Sequence, residues 1–252
     1  MSKVLLINGS PNEYGCTYTA LKEVADTLSK NDVKSEILYL GKKPIAGCIA
    51  CGKCSRTGRC IFDDKVNTVL EKLDEYDGIV VGSPVYYAGP AGQLCAFLDR
   101  LFFCSENRMA GKLAASVVSC RRGGASAAFD RLNKYFGICN MHIVGSQYWN
   151  QVHGFTPDDV RKDKEGLQTM RKTYRQGKNR ISHFRSMKKE CVLILSSDNH
   201  WLQCPVCGNK TRVKIRIDTI LINFPLYCPK CKQESLINVR QLNISVIKEP
   251  DA

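Results

Sequence analysis

Short apolar runs alternate with segments of helical period along the first two-thirds of the chain. KVLLING (3–9) is a continuous apolar run ending in Gly-Ser-Pro, the pattern of a strand buried on both faces. Leu21, Val24, Ala25 and Leu28 then recur at i, i+3, i+4, i+7 and predict an amphipathic helix. SEILYL (35–40) predicts a second strand. DDKVNTVLEKLDEYD predicts a helix whose two leading aspartates suit its positive end. GIVVGSP (78–84) is a third strand, AGQLCAFLDRLFFC a helix, and KLAASVVSC (112–120) a fourth strand. GASAAFDRLNKYFGI (124–138) follows as a helix, MHIVGSQYW (141–149) as a fifth strand, and a long charged helix over 157–185 closes the series. Strand–helix alternation of this length means an α/β domain, a parallel sheet with helices on both faces.

Five strands favour the flavodoxin-like order 2-1-3-4-5 over a six-stranded dinucleotide fold, and ligands of such sheets bind outside the carboxyl ends of the strands. The loops after strands 1, 3 and 4 are therefore the informative ones. GSPNEYGCT (9–17) has glycines that let backbone N–H groups approach a phosphate, with Ser10 and Thr17 as hydroxyl donors. Its spacing is neither G-x-G-x-x-G nor a Walker loop, which argues against ATP and against a dinucleotide held in the usual Rossmann way. SPVYYAGP (83–90) brings two tyrosines to the same edge. SCRRGGAS (119–126) brings flexible glycines with Arg121 and Arg122. Three such loops at one edge favour a planar, monophosphorylated ligand.

The chain has 14 cysteines in 252 residues. The start, MSKVLLINGS, lacks the apolar core and cleavage site of a secretion signal, and no run reaches the roughly 18 apolar residues of a membrane span, so a cytoplasmic protein is expected. Cytosolic thiols are kept reduced, which argues against a disulfide framework. Six cysteines (Cys16, Cys95, Cys104, Cys120, Cys139, Cys191) are scattered among mostly apolar neighbours and read as small buried hydrophobes. The other eight form two clusters. Cys48, Cys51, Cys54 and Cys60 have the spacing C-x2-C-x2-C-x5-C, compact enough to wrap an iron–sulfur cubane. Zinc and free redox-active thiols remain as alternatives for this set. Cys204, Cys207, Cys228 and Cys231, as C-x2-C-x20-C-x2-C with a C-P-x-C knuckle at each end, read as a structural zinc ribbon. A domain of that size has little core, so the metal would supply much of its folding energy.

The formal net charge is +13. Much of the excess lies in 161–189, where Arg161, Lys162, Lys164, Arg171, Lys172, Arg175, Lys178, Arg180, Arg185, Lys188 and Lys189 face only Asp163 and Glu165. A solvated helix face explains such a stripe as well as an anionic partner does. The organisation expected is a flavodoxin-like domain over 1–185, a linker over 186–203 and a ribbon over 204–252.

GSPN…GCT, GSPVYY, CRRGG and NQVHGFTPDDVRKDKEGLQTMR together resemble the flavodoxin-like NAD(P)H-dependent FMN reductase family, over residues 1–185. Within it, the iron–sulfur flavoprotein branch carries a compact cysteine cluster after the second strand, as this chain does. Carried over by position, the resemblance implies that Ser10, Asn12, Cys16 and Thr17 surround the FMN phosphate. It further implies that Pro84, Val85, Tyr86 and Tyr87 hold the isoalloxazine ring, with Ser119 and Gly123 nearby. Two departures stand out: the family usually has Arg in place of Asn12 and Asn in place of Cys16. The resemblance also implies that Cys48, Cys51, Cys54 and Cys60 bind one [4Fe–4S] cluster, and that the protein is a homo-oligomer. His153, in NQVHG, reads as a structural hydrogen-bonding residue, and no hydrolase constellation is visible.

From Trp201 onward the chain resembles the cysteine-rich KTR family, named for the Lys-Thr-Arg present as Lys210, Thr211 and Arg212. The expected function is an FMN oxidoreductase that takes electrons from NAD(P)H or a protein donor and passes them, through the cluster, to a small-molecule or protein acceptor. The competing expectation is a redox-sensing adaptor whose zinc ribbon contacts nucleic acid or a protein.

Overall fold

Strand β1 (Lys3–Asn8) is the centre from which the first layer pattern spreads. Successive side chains of a strand point to opposite faces. Leu5 and Ile7 enter one core and Val4 and Leu6 the other. β2 (Lys34–Tyr39) pairs with it in parallel on one side and β3 (Gly78–Tyr86) on the other. A computed structural model of the chain describes residues 2–173, 200–216, 219–240 and 242–247. The chain divides into two compact units, Met1–Phe184 and Arg185–Ala252.

In the first unit the parallel order is β2-β1-β3-β5-β6, with β5 at Leu113–Cys120 and β6 at His142–Ile143. This is the predicted order 2-1-3-4-5. α3 (Lys65–Lys72), α4 (Gly92–Ser105) and α5 (Ala125–Ile138) pack Val66, Leu70, Leu94, Phe97, Leu132 and Phe136 into one core. α1 (Cys16–Ser29) packs Ala20, Leu21, Val24 and Leu28 into the other, with Val160 and Met170.

Two predicted elements differ. The fifth strand is broken: β6 pairs with Leu113 and Ala114, and β7 (Gln151–His153) pairs with Val118 to Cys120. Residues between them leave the sheet, and Ser146 donates instead to the carbonyl of Thr169. The long charged helix is also broken. α6 (Pro157–Lys162) ends where Asp163 leaves helical geometry (ψ 79°), and α7, described over 164–173, begins. The Asp163 carboxylate accepts from the Gly166 N–H (2.9 Å) and the His153 N–H (2.8 Å), so one side chain caps α7 and ties it to β7. α6 itself starts with a reciprocal Thr156–Asp159 capping box. The rest of the expected helix, the expected linker over 186–199 and Cys191 lie outside the described residues.

In the second unit, β8 (His200–Gln203) and β9 (Lys210–Ile215) form one hairpin, and β10 (Leu221–Tyr227), β11 (Glu234–Arg240) and β12 (Asn243–Val246) form a three-stranded sheet. Residues 200–203, expected in the linker, are thus strand. The core is small: Leu202, Ile215, Leu226, Ile237 and Val239.

Gly82 fixes how closely α1 approaches the sheet, because a Cβ there would lie 2.7 Å from Leu21 Cδ1 and 2.9 Å from Thr17 Cγ2. Gly82→Ala is expected to destabilise the first unit by about 1–3 kcal/mol through overpacking. Gly137→Ala, exposed in α5 with open space around it, should instead gain up to about 1 kcal/mol from helix propensity. Urea unfolding of the two variants checks the contrast.

Candidate functional site

The loops after β1, β3 and β5 meet at the carboxyl edge of the sheet and are pinned to one another. The first loop is organised from inside by Asn8, fully buried, whose Oδ1 accepts from Ser10 N–H (3.1 Å) and whose Nδ2 donates to the Glu13 carbonyl (2.9 Å). Ser10 Oγ accepts from the Asn12 N–H (3.1 Å), and the Tyr39 hydroxyl donates to the Pro11 carbonyl (2.7 Å). The Gly9 N–H bonds the Gly82 carbonyl (2.9 Å), joining this loop to the end of β3. Thr17 and Ser119 share a buried hydroxyl hydrogen bond of 2.8 Å, joining it to the end of β5.

Helix α1 has Gly15 at its N-cap and no side-chain cap. Its first-turn N–H groups have no partner within the helix and point toward the loop with the positive end of the helix dipole. That donor set, backbone amides beside small hydroxyls, suits a phosphate monoester. Of the residues implied for the phosphate, Ser10 and Thr17 are buried, Asn12 is exposed, and Cys16 is half-buried with its thiol toward the Gly154 carbonyl (3.8 Å). Burial pushes the Cys16 thiol up.

β3 ends in a tight hairpin with β4 (Gly89–Pro90), pairing Val85 with Pro90 and Tyr86 with Gly89. Its turn residues Tyr87 and Ala88 both have positive φ (50° and 61°). Two non-glycine residues in the left-handed region store strain of a kind that clusters at ligand sites. Tyr86 and Tyr87 are consequently held outward at the edge, both exposed, while Pro84 and Val85 are half-buried. Gly124 braces the hairpin: a Cβ there would lie 2.9 Å from Ala88 Cα. Gly123 next to it is exposed, with open space around it. These loops gather backbone amides, small hydroxyls and two exposed tyrosines at one sheet edge, donors and faces that suit a ring system with a phosphate tail.

The first cysteine cluster lies after β2. Cys54 opens the short helix α2 (Cys54–Thr57) and is buried; Cys60 is half-buried; Cys48 and Cys51 are exposed. Asn67, buried on α3, grips Cys60 by both backbone groups, accepting from its N–H (2.8 Å) and donating to its carbonyl (3.1 Å). Ile49, Ile61, Phe62, Phe103, Arg100 and Cys104 line the same pocket as the four thiols. The sequence presents Cys104 as a plain buried hydrophobe. It is buried, but burial together with the adjacent thiols of Cys54 and Cys60 pushes its own thiol up. Its place is visible in the sequence only as the i+4 neighbour of Arg100 on α4. Four thiols, two of them held against the domain and two exposed, with an apolar surround form a donor set suited to an iron–sulfur cluster.

The second cluster has another geometry. Cys204 and Cys231 sulfurs are 3.7 Å apart and those of Cys207 and Cys228 3.6 Å, with all four within 4.8 Å of one another. A tetrahedron of thiolates at about 2.3 Å from one ion has edges near these values. Asn209 pulls the Cys207 thiol down to about 6, through its side-chain amide first and its backbone N–H second. Among the described residues this is the one group gathered tightly enough for a single ion. The 48–60 thiols are not gathered this tightly.

Residues 2–156, more than half of the chain, match the family model described as NADPH-dependent FMN reductase. The chain belongs to that family. Residues 199–252 match a second family model, described as cysteine-rich KTR. An iron–sulfur flavoprotein of Methanocaldococcus jannaschii is 32% identical over 179 residues, covering 67% of this chain and 92% of its own. One from Methanosarcina thermophila is 27% identical over 175 residues, covering 68% and 91%. Among solved structures, RosB with a bound riboflavin-phosphate intermediate has a TM-score of 0.59 at 14% identity, covering 85% of this chain and 95% of that one. The apo form of an NADH:FMN oxidoreductase has a TM-score of 0.50 at 21% identity, covering 79% and 92%. As a member of the FMN reductase family, this chain is a flavoprotein oxidoreductase. No helix among the described residues is long and apolar enough to cross a membrane.

The Thr17–Ser119 pair gives a direct test of how the loops of this FMN reductase are joined. Thr17→Val leaves the Ser119 hydroxyl buried without its partner and should cost about 1–3 kcal/mol. The double variant Thr17→Val with Ser119→Ala should cost clearly less than the sum of the two single changes, read by urea unfolding.

Proposed function

We propose that this chain takes electrons from NAD(P)H or a protein donor into FMN and passes them singly, through a [4Fe–4S] cluster held by Cys48, Cys51, Cys54 and Cys60, to a small-molecule or protein acceptor. When bound, FMN supplies the exchange between two-electron and one-electron chemistry. Ser10, Asn12, Cys16 and Thr17, with the open amides of α1, bind its phosphate. Pro84, Val85, Tyr86 and Tyr87 orient its ring on the strained hairpin, and Ser119 and Gly123 border it. A structural zinc ion is held by Cys204, Cys207, Cys228 and Cys231. The protein works as a homo-oligomer in the cytoplasm.

One observation supports the route of electrons above the others. Helix α4 starts immediately after the β3–β4 hairpin, and its residue Arg100 lines the cysteine pocket. Arg100 lies eight residue steps along the helix from its first residue, about 12 Å of rise, so a single rigid element connects ring site and thiol pocket. Purified protein titrated with FMN should bind it in a defined stoichiometry, and the loaded protein should oxidise NAD(P)H. Failure to bind flavin at all overturns the proposal, and binding without turnover with either nucleotide points to a protein donor.

The ribbon supports a second reading, as a module for single-stranded nucleic acid. On β9, Lys210, Arg212 and Lys214 are exposed at alternate positions and so share one face. Trp201, paired with Lys214 in register, lies on the same face with the Lys214 ammonium 4.4 Å from its ring centroid. Cations beside an exposed ring make a stacking platform with phosphate contacts. Binding of the full chain to an oligonucleotide should fall with salt at a log–log slope near −2, at about −0.7 per contact, and Arg212→Ala should flatten it by about one contact. No binding at low salt contradicts this reading.

A further inference from the structure

Arg100 is the bulkiest of the fully buried side chains, only 1% exposed, in a helix otherwise packed through Leu94, Phe97, Leu98 and Leu101. Burying a guanidinium costs several kcal/mol unless its donors and charge are both met. Here all five N–H groups have partners. Nε donates to Cys60 Sγ (3.2 Å), and Nη1 donates to the Ala46 carbonyl (3.2 Å) and to Asp64 (2.7 Å). Nη2 donates to the Phe62 carbonyl (3.2 Å) and to Asp64 (2.9 Å). The Phe62 ring stacks near the guanidinium, 4.9 Å from its centre. Asp64 in turn caps α3 by accepting from Val66 N–H (3.0 Å).

Loop stapling alone does not explain this arrangement. The two carbonyls and the carboxylate account for four of the five donors, and Asn67 already fixes the Cys60 backbone. The fifth donor is aimed at a sulfur proposed as a cluster ligand. Hydrogen bonds to ligand sulfurs and nearby charge are the protein's main means of setting a cluster's potential.

We infer that Arg100 is a positioning residue that sets the reduction potential of the cluster, through a charge-assisted N–H···S bond to Cys60 whose strength is moderated by the Asp64 carboxylate. The inference rests on the reading that the 48–60 cysteines hold a [4Fe–4S] cluster. Reduction adds one electron to the cluster and makes its sulfurs more negative. Arg100 stays protonated in both states, so no proton moves, and its bond to Cys60 is stronger in the reduced state. That difference raises the potential. Asp64 sits on the opposite edge of the guanidinium and partly cancels its charge.

The test uses full-length protein purified anaerobically, reduced stepwise with dithionite and followed by electron paramagnetic resonance. Arg100→Lys keeps a cation beside Asp64 and removes the N–H···S bond. It should weaken cluster reduction about tenfold, a shift of about 59 mV to more negative potential for a one-electron couple. Asp64→Asn keeps a competent helix cap and removes the opposing charge, so it should shift the potential the other way. A general loosening of the pocket would move both variants in the same direction, and that result overturns the inference. Iron content and signal equal to wild type with unchanged potentials in both variants overturn it as well. Wild-type protein with no bound iron and no signal overturns the cluster reading itself, and Arg100 then falls with it.

Discussion

At Gly82 the central strand carries no side chain, and Thr17 and Leu21 of α1 close directly onto its backbone. The Gly9 N–H reaches the Gly82 carbonyl at the same level. Gly9 itself has no room for a side chain either, since a Cβ would lie 2.6 Å from Leu94 of α4. Two helices on opposite faces of the sheet therefore converge on the carboxyl ends of β1 and β3. This close approach brings the uncapped start of α1 to the loop that bears Ser10 and Asn12. It also lets Thr17 reach Ser119 across the strand order. A looser sheet would separate these loops, and the carboxyl edge of the sheet would lose its shape.

α4 carries the same constraint into the cysteine pocket. Its start is fixed by the backbone of Ala91, which donates to Ser83 Oγ (2.9 Å), and by Leu94 against Gly9. Its later turns present Arg100 and Cys104 to Cys54 and Cys60. The pocket is thus built partly by residues about forty positions away from its thiols, on an element positioned by the end of β3. The ribbon cysteines are held by two knuckles that Lys230 ties together, its Nζ donating to Asn209 Oδ1 (2.9 Å). Each knuckle is closed locally, by Gly208 N–H to the Cys204 carbonyl (2.9 Å) in one and Lys232 N–H to the Cys228 carbonyl (2.9 Å) in the other. One chain carries two cysteine spacings with two different geometries.

The strand order and the three loops at the sheet edge were legible because apolar runs, glycines and chain alternation are local signals. The break in the fifth strand was not. His142 and Ile143 continue the apolar pattern, and only the pairing of Ser146 with α7 shows that the chain departs. The long charged helix hid its break at Asp163, since nothing in the charge pattern shows that this carboxylate bonds backward to His153 and forward to Gly166. Asn8 reads as the polar end of a strand and proves to organise the loop after β1. Arg100 and Cys104 were the least legible of all, because their meaning comes from contacts thirty to fifty residues away.

The central claim is that the two cysteine sets hold different metals, with iron and sulfide in the compact set and zinc in the ribbon. Metal and acid-labile sulfide analysis of anaerobically purified protein, read beside its visible spectrum, tests it most directly. The account predicts about four irons, a matching amount of sulfide and one zinc per chain, with a broad cluster absorbance under the flavin bands. About two zinc ions per chain with neither iron nor sulfide would contradict it.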